Sequence, residues 1–193
     1  MEAEIEGDFV ECGVWRGGNA LAAKLTFESL GSDKKVWLFD TFAGMSEPTD
    51  VDRGAISGEI ARETFLASQN DDHNDWCFAS LEDVRRNFEA ARVDMAGVSF
   101  VKGDVLKTLR DHANLPGAIS ILRLDTDWYE STREELRVLY PRLSIGGCLL
   151  IDDFGCWEGA RKAVEDYFAE LPPRARPLLQ YTDYTGRMGV KVA

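Results

Sequence analysis

Residues 121–130, Ile-Leu-Arg-Leu-Asp-Thr-Asp-Trp-Tyr-Glu, and residues 148–153, Cys-Leu-Leu-Ile-Asp-Asp, decide the fold. Each stretch is a short run of mostly branched apolar residues that ends abruptly in carboxylates. Such a pattern is typical of a buried parallel strand whose carboxyl end opens into a ligand crevice. We therefore expect the ends of these two strands to face the same crevice.

Three acidic residues at these strand ends, Asp125, Asp152 and Asp153, indicate a metal site. Carboxylates gathered in one crevice repel one another unless a cation lies among them, and a set of oxygen ligands suits Mg²⁺. A second explanation remains open. The helix that follows needs an N-cap, and Asp127 or Ser131 is of the right type to provide it.

Composition and charge indicate a single domain that binds small molecules. A chain of 193 residues that is 45% hydrophobic is long enough to bury a core, and we expect one domain over residues 1–193. The net charge of −12 argues against nucleic-acid and anionic-membrane partners, because phosphate binding needs clustered Lys and Arg. The sequence has no membrane-spanning apolar run and no signal peptide at its start, so a cytoplasmic location is expected.

The first strand is predicted at residues 8–12, followed by a glycine turn and a helix over residues 20–30. The turn has the pattern Glu11-x-Gly13-x-x-x-Gly17, which differs from the Gly-x-Gly-x-x-Gly pattern of dinucleotide binders. A carboxylate at Glu11 would repel a pyrophosphate. This turn therefore favours a ligand that carries a cationic amino group or a sulfonium.

Residues 36–40, Val-Trp-Leu-Phe-Asp, predict a second buried strand that again ends in an acid. Asp40 lies at the spacing of about 20 residues beyond a glycine turn at which an acid accepts hydrogen bonds from ribose hydroxyls. An Asp that only forms the turn before Thr41 would give the same sequence pattern, so this second interpretation of Asp40 stays open. With Glu11 and Gly13, the ribose interpretation makes the ligand a nucleoside without phosphates.

Residues 41–80 form the least regular part of the chain, with several glycines and two acidic runs. An insertion of this length between a strand and its helix is more often a functional lid than an idle loop. Beyond it, residues 80–83 resemble a capping box, and residues 98–101 predict a third strand. Asp104 then either reaches the amino group of an adenine or caps a helix over residues 105–112, and both roles remain open.

The remaining pattern predicts two further strands with intervening helices and an antiparallel pair at the C-terminus. Strands and helices alternate at least five times, which indicates an α/β fold with a doubly wound, mostly parallel sheet. The segments are a strand at 119–124, a helix at 131–140 ended by Gly146-Gly147, a strand at 148–151, a helix at 157–168, and strands at 177–181 and 189–192.

Four stretches taken together resemble the macrocin O-methyltransferase family over about residues 7 to 168. The stretches are residues 9–18 (FVECGVWRGG), 37–45 (WLFDTFAGM), 122–132 (LRLDTDWYEST) and 140–154 (YPRLSIGGCLLIDDF). The resemblance implies a Rossmann-like class I methyltransferase with a seven-stranded sheet. It further implies that S-adenosylmethionine is the methyl donor, that Mg²⁺ is required, and that the substrate is a small-molecule hydroxyl, typically on a sugar of a natural product.

The resemblance also implies roles for individual residues. Glu11, Gly13 and Gly17 match the family's cofactor turn, and Asp40 matches its ribose-binding acid. Asp125, Asp152 and Asp153 match its metal ligands. Asp127 is close enough in sequence to act as a catalytic base or to support Asp125, although a helix N-cap explains it equally well.

Two alternatives and one departure from the family remain. A catalytically silent module that binds S-adenosylmethionine or a metal would carry the same motifs, whereas the glycine spacing and Glu11 disfavour an NAD-dependent dehydrogenase. Family members carry an additional N-terminal segment that contributes to the active site and to oligomer contacts. In this chain the first strand is expected near residue 8, as in a short form or a truncated chain, and formation of a homo-oligomer stays open.

Overall fold

The computed structural model describes residues 4–193, whose strands form one seven-stranded sheet. The strands are β1 Asp8–Cys12, β2 Val36–Asp40, β3 Val98–Lys102, β4 Ile119–Leu124, β5 Leu143–Ile151, β6 Gln180–Tyr181 and β7 Arg187–Val190. The α-helices are α1 Gly18–Ser29, α2 Ala61–Ala67, α3 Leu81–Ala90, α4 Val105–Thr108, α5 Tyr129–Leu139 and α6 Glu158–Glu170.

The sheet has the order β3-β2-β1-β4-β5-β7-β6. Strands β1 to β5 are parallel to one another, whereas β7 runs antiparallel to both β5 and β6. The predicted fold class, a doubly wound α/β sheet with an antiparallel C-terminal edge, is therefore confirmed. The strand order reverses between β1 and β4, and in such sheets the ligand crevice lies outside the carboxyl ends of the strands at that point.

Alternate residues of the central strands pack on opposite faces of the sheet. Phe9 of β1 and Leu38 of β2 belong to the apolar cluster formed with α1 and α3. Val10 and Phe39, one position further along, belong to the cluster formed with α5 and α6. Both faces are thus covered, as expected for parallel strands with near-continuous apolar sequences. The apolar layers leave the strand ends as the place for polar groups.

Several predicted boundaries differ from the structure. In the tail, β6 is only Gln180–Tyr181 and β7 is Arg187–Val190, whereas strands over 177–181 and 189–192 were expected. Strand β5 begins at Leu143, so Gly146 and Gly147 lie inside it and do not punctuate the chain before it. Gly146 has a φ of 83° at an irregularity in the pairing with β4, which glycine tolerates. Helix α4 ends at Thr108 and not at residue 112, and α2 lies inside the segment that was expected to be irregular.

The helices in residues 4–193 are all too short or too polar to cross a bilayer. The longest, α6, has 13 residues, whereas a crossing needs about 20 apolar ones.

Candidate active site at the strand ends

A cavity of about 290 Å³ opens at the carboxyl ends of the central strands. The residues that line it include six that the sequence singled out: Gly13, Asp40, Asp104, Asp125, Asp152 and Asp153. The amide of Asp125 donates to the carbonyl of Cys12, and the amide of Asp152 donates to the carbonyl of Leu124. The ends of β1, β4 and β5 are therefore adjacent, which confirms that the two acidic strand ends face one crevice.

Backbone strain is concentrated around this cavity. Of the five non-glycine residues with positive φ within residues 4–193, three line the cavity: Trp15, Cys77 and Asp127. Residues with larger side chains adopt this conformation at a cost of the order of 1–3 kcal/mol each, and such residues cluster at functional sites. The strain supports the interpretation of this cavity as a site, independently of the acidic residues.

The two glycines of the predicted cofactor turn have different surroundings. Gly13 lines the cavity with a φ of 76°, and a Cβ there would overlap the carbonyl of Asp125. Gly17 has a φ of 78°, and a Cβ there would press on Val84 and Phe88 of α3. Over residues 4–193 the cavity lining includes Gly13 but not Gly17. Gly17 therefore allows α1 and α3 to pack closely, while Gly13 allows the turn to pack against the end of β4 and also lines the cavity.

Asp40 organises the turn as well as facing the cavity. Its Oδ2 accepts hydrogen bonds from the amides of Val14 (2.7 Å) and Trp15 (3.2 Å), and its Oδ1 accepts one from Phe42 (2.7 Å). Burial raises the pKa of this carboxyl, while the three amides act in the opposite direction. Oδ2 already accepts from two amides, so the lone pair that remains for a ligand hydroxyl is on Oδ1.

Glu11 lies behind the cavity and does not line it within residues 4–193. Its side chain is 1% exposed, and its Oε1 accepts from Asn19 Nδ2 (3.2 Å) and Arg123 Nη1 (2.9 Å). Its Oε2 has no hydrogen-bond partner among the described residues. Burial raises the pKa of Glu11 to about 7, although the Arg123 charge lowers it in part. The carboxylate therefore acts on Arg123 and does not reach a ligand directly.

Three carboxylates converge at the opposite side of the cavity. Asp125, Asp127 and Asp153 each offer an oxygen, and these atoms lie within 4.8 Å of one another. Burial raises the pKa of Asp125 to about 6 and that of Asp127 to about 7, and it raises the pKa of Asp153 well above its usual range. Mutual repulsion of the carboxylates adds to each of these shifts. Such a set of oxygens suits a hard divalent cation.

Asp152 lines the same cavity but lies outside that group of three. Its Oδ1 accepts a hydrogen bond from Arg123 Nη2 at 2.6 Å, and Arg123 Nη1 donates to Asp125 Oδ2 at 2.5 Å. The structure therefore brings together Asp125 and Asp153 of the predicted ligands, adds Asp127, and pairs Asp152 with a guanidinium. The role of Arg123 was not predicted, because in the sequence it is one residue of an apolar strand.

Asp127 does not cap α5. The helix begins at Tyr129 with Trp128 in the N-cap position, and Ser131 Oγ donates to the carbonyls of Thr126 and Trp128. The Asp127 Oδ1 atom accepts a hydrogen bond from Trp157 Nε1 at 2.7 Å. The capping alternative for Asp127 and Ser131 is therefore wrong, which leaves Asp127 directed toward the acid cluster.

A distant acid, Asp52, binds the start of α5. Its Oδ1 accepts from the amide of Tyr129 (2.8 Å), and its Oδ2 accepts from the amide of Thr49 (2.7 Å) and from its hydroxyl (2.9 Å). Asp52 is 1% exposed. Sequence spacing gave no indication of this contact, because the helix and its acid are 77 residues apart. The segment at 41–80 is therefore fastened to the helix that follows the acid cluster.

Aromatic side chains support the same region. Trp76, Trp128 and Trp157 pack edge to face, with ring centroids 5.0 to 5.8 Å apart. Trp128 Nε1 donates to the carbonyl of Ser46 at 2.9 Å, while Trp157 holds Asp127. This cluster joins the segment at 41–80 to α5 and α6, so the tryptophans position both the segment and one of the three convergent acids.

Asp104 is the N-cap of α4. Its Oδ1 accepts from the amide of Leu106 at 2.9 Å, and the residue also lines the cavity. The capping role left open by the sequence is therefore present, and contact with a ligand is compatible with it, because Oδ2 is not used by the cap.

Comparison with known proteins assigns the chain to a family. A profile of the family described as macrocin-O-methyltransferase (TylF) matches residues 1–172. The chain is 38% identical over 164 residues to 8-demethyl-8-(2,3-dimethoxy-alpha-L-rhamnosyl)-tetracenomycin-C 4'-O-methyltransferase of Streptomyces olivaceus, covering 84% of the chain and 58% of that protein. It is 33% identical over 169 residues to demethyldecarbamoylnovobiocin O-methyltransferase of Streptomyces niveus, covering 86% and 60%.

The chain spans between 58% and 61% of the length of the curated relatives that it matches. Among solved structures, the O-methyltransferase NovP superimposes with a TM-score of 0.80 at 30% identity, covering 98% of the chain and 73% of NovP. The calicheamicin methyltransferase CalS11 superimposes with a TM-score of 0.72 at 17% identity, covering 97% and 73%. The fold is therefore the Rossmann-like fold of class I methyltransferases.

Proposed function

Because the chain belongs to the macrocin-O-methyltransferase (TylF) family, we propose that it transfers a methyl group from S-adenosylmethionine to a hydroxyl of a small molecule. One observation carries the proposal. A single cavity has a glycine turn with Asp40 on one side and the convergent acids Asp125, Asp127 and Asp153 on the other. A donor and an acceptor hydroxyl can thus be held next to each other.

The side of the cavity formed by β1 and β2 fits the donor. Gly13 brings backbone to the cavity lining, and Oδ1 of Asp40 can accept a hydrogen bond from a ribose hydroxyl. Asp104 lines the cavity beyond β3, where its free Oδ2 is available to an amino group. S-adenosylmethionine supplies an electrophilic sulfonium methyl group, so the protein has mainly to orient the acceptor and remove its proton.

Asp125, Asp152 and Asp153 are proposed to hold a divalent cation, for which Mg²⁺ is the best candidate. The residues fit it, since the available donors are carboxylate oxygens. Burial, and then repulsion between the carboxylates, raises the pKa of Asp125 and of Asp153, and a cation would remove that repulsion. Bound there, the cation would supply Lewis-acid chemistry, which lowers the pKa of a hydroxyl. Asp127 belongs to the convergent group and either shares in binding the cation or acts beside it.

Asp127 is proposed as the proton acceptor. Its Oδ1 is fixed by Trp157 Nε1, so the carboxylate has one orientation, in which it belongs to the convergent group with Asp125 and Asp153. Burial raises its pKa to about 7, and repulsion from Asp125 adds to the rise. A cation bound beside it would lower the pKa again and keep the carboxylate ionised, which is the form that accepts a proton. Its place in the cavity lining supports this role.

A sugar hydroxyl of a natural product is the proposed acceptor. One matched relative is named for 4'-O-methylation of a rhamnosyl tetracenomycin, and another for O-methylation of demethyldecarbamoylnovobiocin. The net charge of −12 also supports a small-molecule acceptor over nucleic acid.

Residues 41–80 are proposed as a lid-like insertion within one methyltransferase domain over residues 1–193. Thr41, Gly44, Met45, Ser46 and Cys77 of this segment line the cavity. A segment in this position can exclude water when donor and acceptor are bound.

The proposal is tested by measuring release of S-adenosylhomocysteine with Mg²⁺ and a panel of acceptors that includes rhamnosides, other glycosides and catechols. Methylation of a sugar hydroxyl, located by mass spectrometry, is the expected result. Donor binding without turnover on any acceptor would instead indicate the alternative function, a catalytically silent module that binds S-adenosylmethionine or a metal.

A further inference from the structure

Arg123 of β4 is the one basic side chain that contacts the acid cluster within residues 4–193. Its guanidinium is 13% exposed and makes ion pairs with three carboxylates. Nη1 donates to Glu11 Oε1 at 2.9 Å and to Asp125 Oδ2 at 2.5 Å, while Nη2 donates to Asp152 Oδ1 at 2.6 Å. Arg123 therefore joins an acid behind the cavity to two acids that line it.

The three acids of Arg123 are not equivalent. Asp125 and Asp152 line the cavity, and both are proposed to hold the cation. Their oxygens are bonded to the guanidinium, so a cation that uses the same oxygens must compete with Arg123. Asp152 is paired with Arg123 and lies outside the group formed by Asp125, Asp127 and Asp153.

Glu11 offers the guanidinium an alternative partner. It is 1% exposed, and its Oε2 is buried without a hydrogen-bond donor among the described residues. An Arg guanidinium and a carboxylate form their strongest pair when two parallel N–H···O bonds are made, whereas only Oε1 of Glu11 is used in this structure. The unused oxygen gives Arg123 a place to form a second bond when it leaves Asp152.

We propose that Arg123 is a positioning residue that competes with the divalent cation, and that Glu11 is the partner that retains Arg123 when the cation binds. Asp152 and Asp125 then release the guanidinium and bind the cation, and the pairing of Arg123 with Glu11 lowers the free-energy cost of this exchange. The inference rests on the proposed metal site. It gives Glu11, which does not reach the cavity, a role in metal affinity that differs from direct contact with the donor.

The competition predicts opposite effects of two charge-removing substitutions. Arg123→Met removes the competitor, and we expect it to tighten Mg²⁺ binding by about tenfold or more, since a unit charge a few ångströms from a divalent ion has a large effect. Glu11→Gln leaves Arg123 fully committed to Asp125 and Asp152, and we expect it to weaken Mg²⁺ binding by about the same factor. In the double variant, Glu11→Gln should change the Mg²⁺ affinity very little relative to Arg123→Met alone, because Glu11 acts on the cation only through Arg123.

Isothermal titration of the full chain with MgCl₂ at pH 8, where Glu11 is ionised, measures these affinities without any turnover. Arg133→Met is the matched control, since it removes the same charge from an arginine that pairs with Glu170 at the surface. It should leave the affinity within about twofold of wild type. Arg123→Lys keeps the charge but cannot bridge three carboxylates, and it provides a second test should Arg123→Met fail to fold. We expect Arg123→Lys to bind Mg²⁺ more tightly than wild type.

The outcomes separate this inference from the proposed function. Mg²⁺ binding by wild type that neither Arg123 substitution tightens would overturn the competition and leave the metal site standing. Additive effects in the double variant would also overturn it, because they would show only a long-range influence of charge. Absence of Mg²⁺ binding in wild type and in both Arg123 variants would overturn the metal site and the inference together.

Discussion

Trp157 donates its indole N–H to Oδ1 of Asp127 over 2.7 Å, although the two residues are 30 positions apart. The bond joins the residue before α6 to the loop after β4, and it selects one orientation of a carboxylate whose backbone has a φ of 67°. A strained backbone and a fixed side chain together indicate that the orientation of Asp127 matters for function.

Trp157→Phe should therefore lower kcat by about 10 to 100-fold, since Trp157 orients the carboxylate that we propose as the proton acceptor, and loss of such a partner typically has this effect. Trp128→Phe is the matched control, because Trp128 belongs to the same aromatic cluster but donates to Ser46. Steady-state kinetics of both variants check the expectation. Equal losses of kcat in the two variants would show that only the packing of the cluster matters.

Asp40→Asn should weaken S-adenosylmethionine binding by about 10 to 100-fold, because hydrogen bonds to a charged group contribute about 1.5–3 kcal/mol. The structure adds a second reason, since the Asp40 carboxylate also accepts from three backbone amides that shape the turn. Calorimetry measures the affinity. Asp111→Asn serves as the control, because Asp111 caps a short turn outside the cavity lining. Unchanged donor affinity in Asp40→Asn would refute the ribose assignment.

Asp52→Asn should increase hydrogen exchange over residues 49–61, because it weakens the bonds to Thr49 and to the start of α5. In wild type, S-adenosylmethionine and acceptor together should slow exchange in the segment at 41–80. Mass spectrometry after timed deuterium labelling measures both effects. Exchange in this segment that is slow in the free protein and insensitive to both ligands would argue against a lid.

Glu135→Gln should stabilise the protein increasingly as the pH rises. Glu135 is 0% exposed, its Oε1 accepts from Thr126 Oγ1, and burial raises its pKa well above the usual range. Above the unfolded-state pKa of about 4.3, the native state therefore binds one proton more than the unfolded state, and the free energy of unfolding of wild type falls with pH. Glutamine cannot titrate, so the advantage of the variant should grow by about 1.4 kcal/mol per pH unit from about pH 5 upward.

Urea unfolding at several pH values, in EDTA, measures this slope. Glu134→Gln is the matched control, since pairing with Arg137 lowers the pKa of Glu134 and its contribution is lost as the pH falls. A pH-independent difference between wild type and Glu135→Gln would mean that Glu135 titrates normally in the folded protein.

The sequence predicted the secondary structure best where a single residue type meets a single local requirement. Strand β2 begins and ends where predicted, and Ser80 caps α3 by accepting from the amide of Asp83. Gly146 was misleading, because a glycine with positive φ serves a bulge inside a strand as well as a turn between elements.

The site was predictable in outline but not in its contacts. Strand ends rich in acids indicated where Asp125 and Asp153 would meet, since parallel strands share one carboxyl edge. The partners of these acids come from other strands and loops. Arg123 lies opposite Glu11 of β1 and Asp152 beyond β5, and Trp157 reaches Asp127 across 30 positions. Contacts between distant elements depend on register and loop path, which local patterns do not determine.

Methyl transfer by this chain should depend on a divalent cation held by Asp125, Asp152 and Asp153. The direct measurement is the rate of S-adenosylhomocysteine release with an accepted sugar substrate in EDTA, and again after Mg²⁺ is added in excess, for wild type and Asp153→Asn. We expect EDTA to lower the wild-type rate by about 100-fold or more, in line with the several kcal/mol that a Lewis acid provides, and Mg²⁺ to restore it. Asp153→Asn should remain slow in both conditions, with its fold intact by circular dichroism. A wild-type rate that EDTA leaves unchanged would contradict the metal site and the role of its carboxylates as cation ligands.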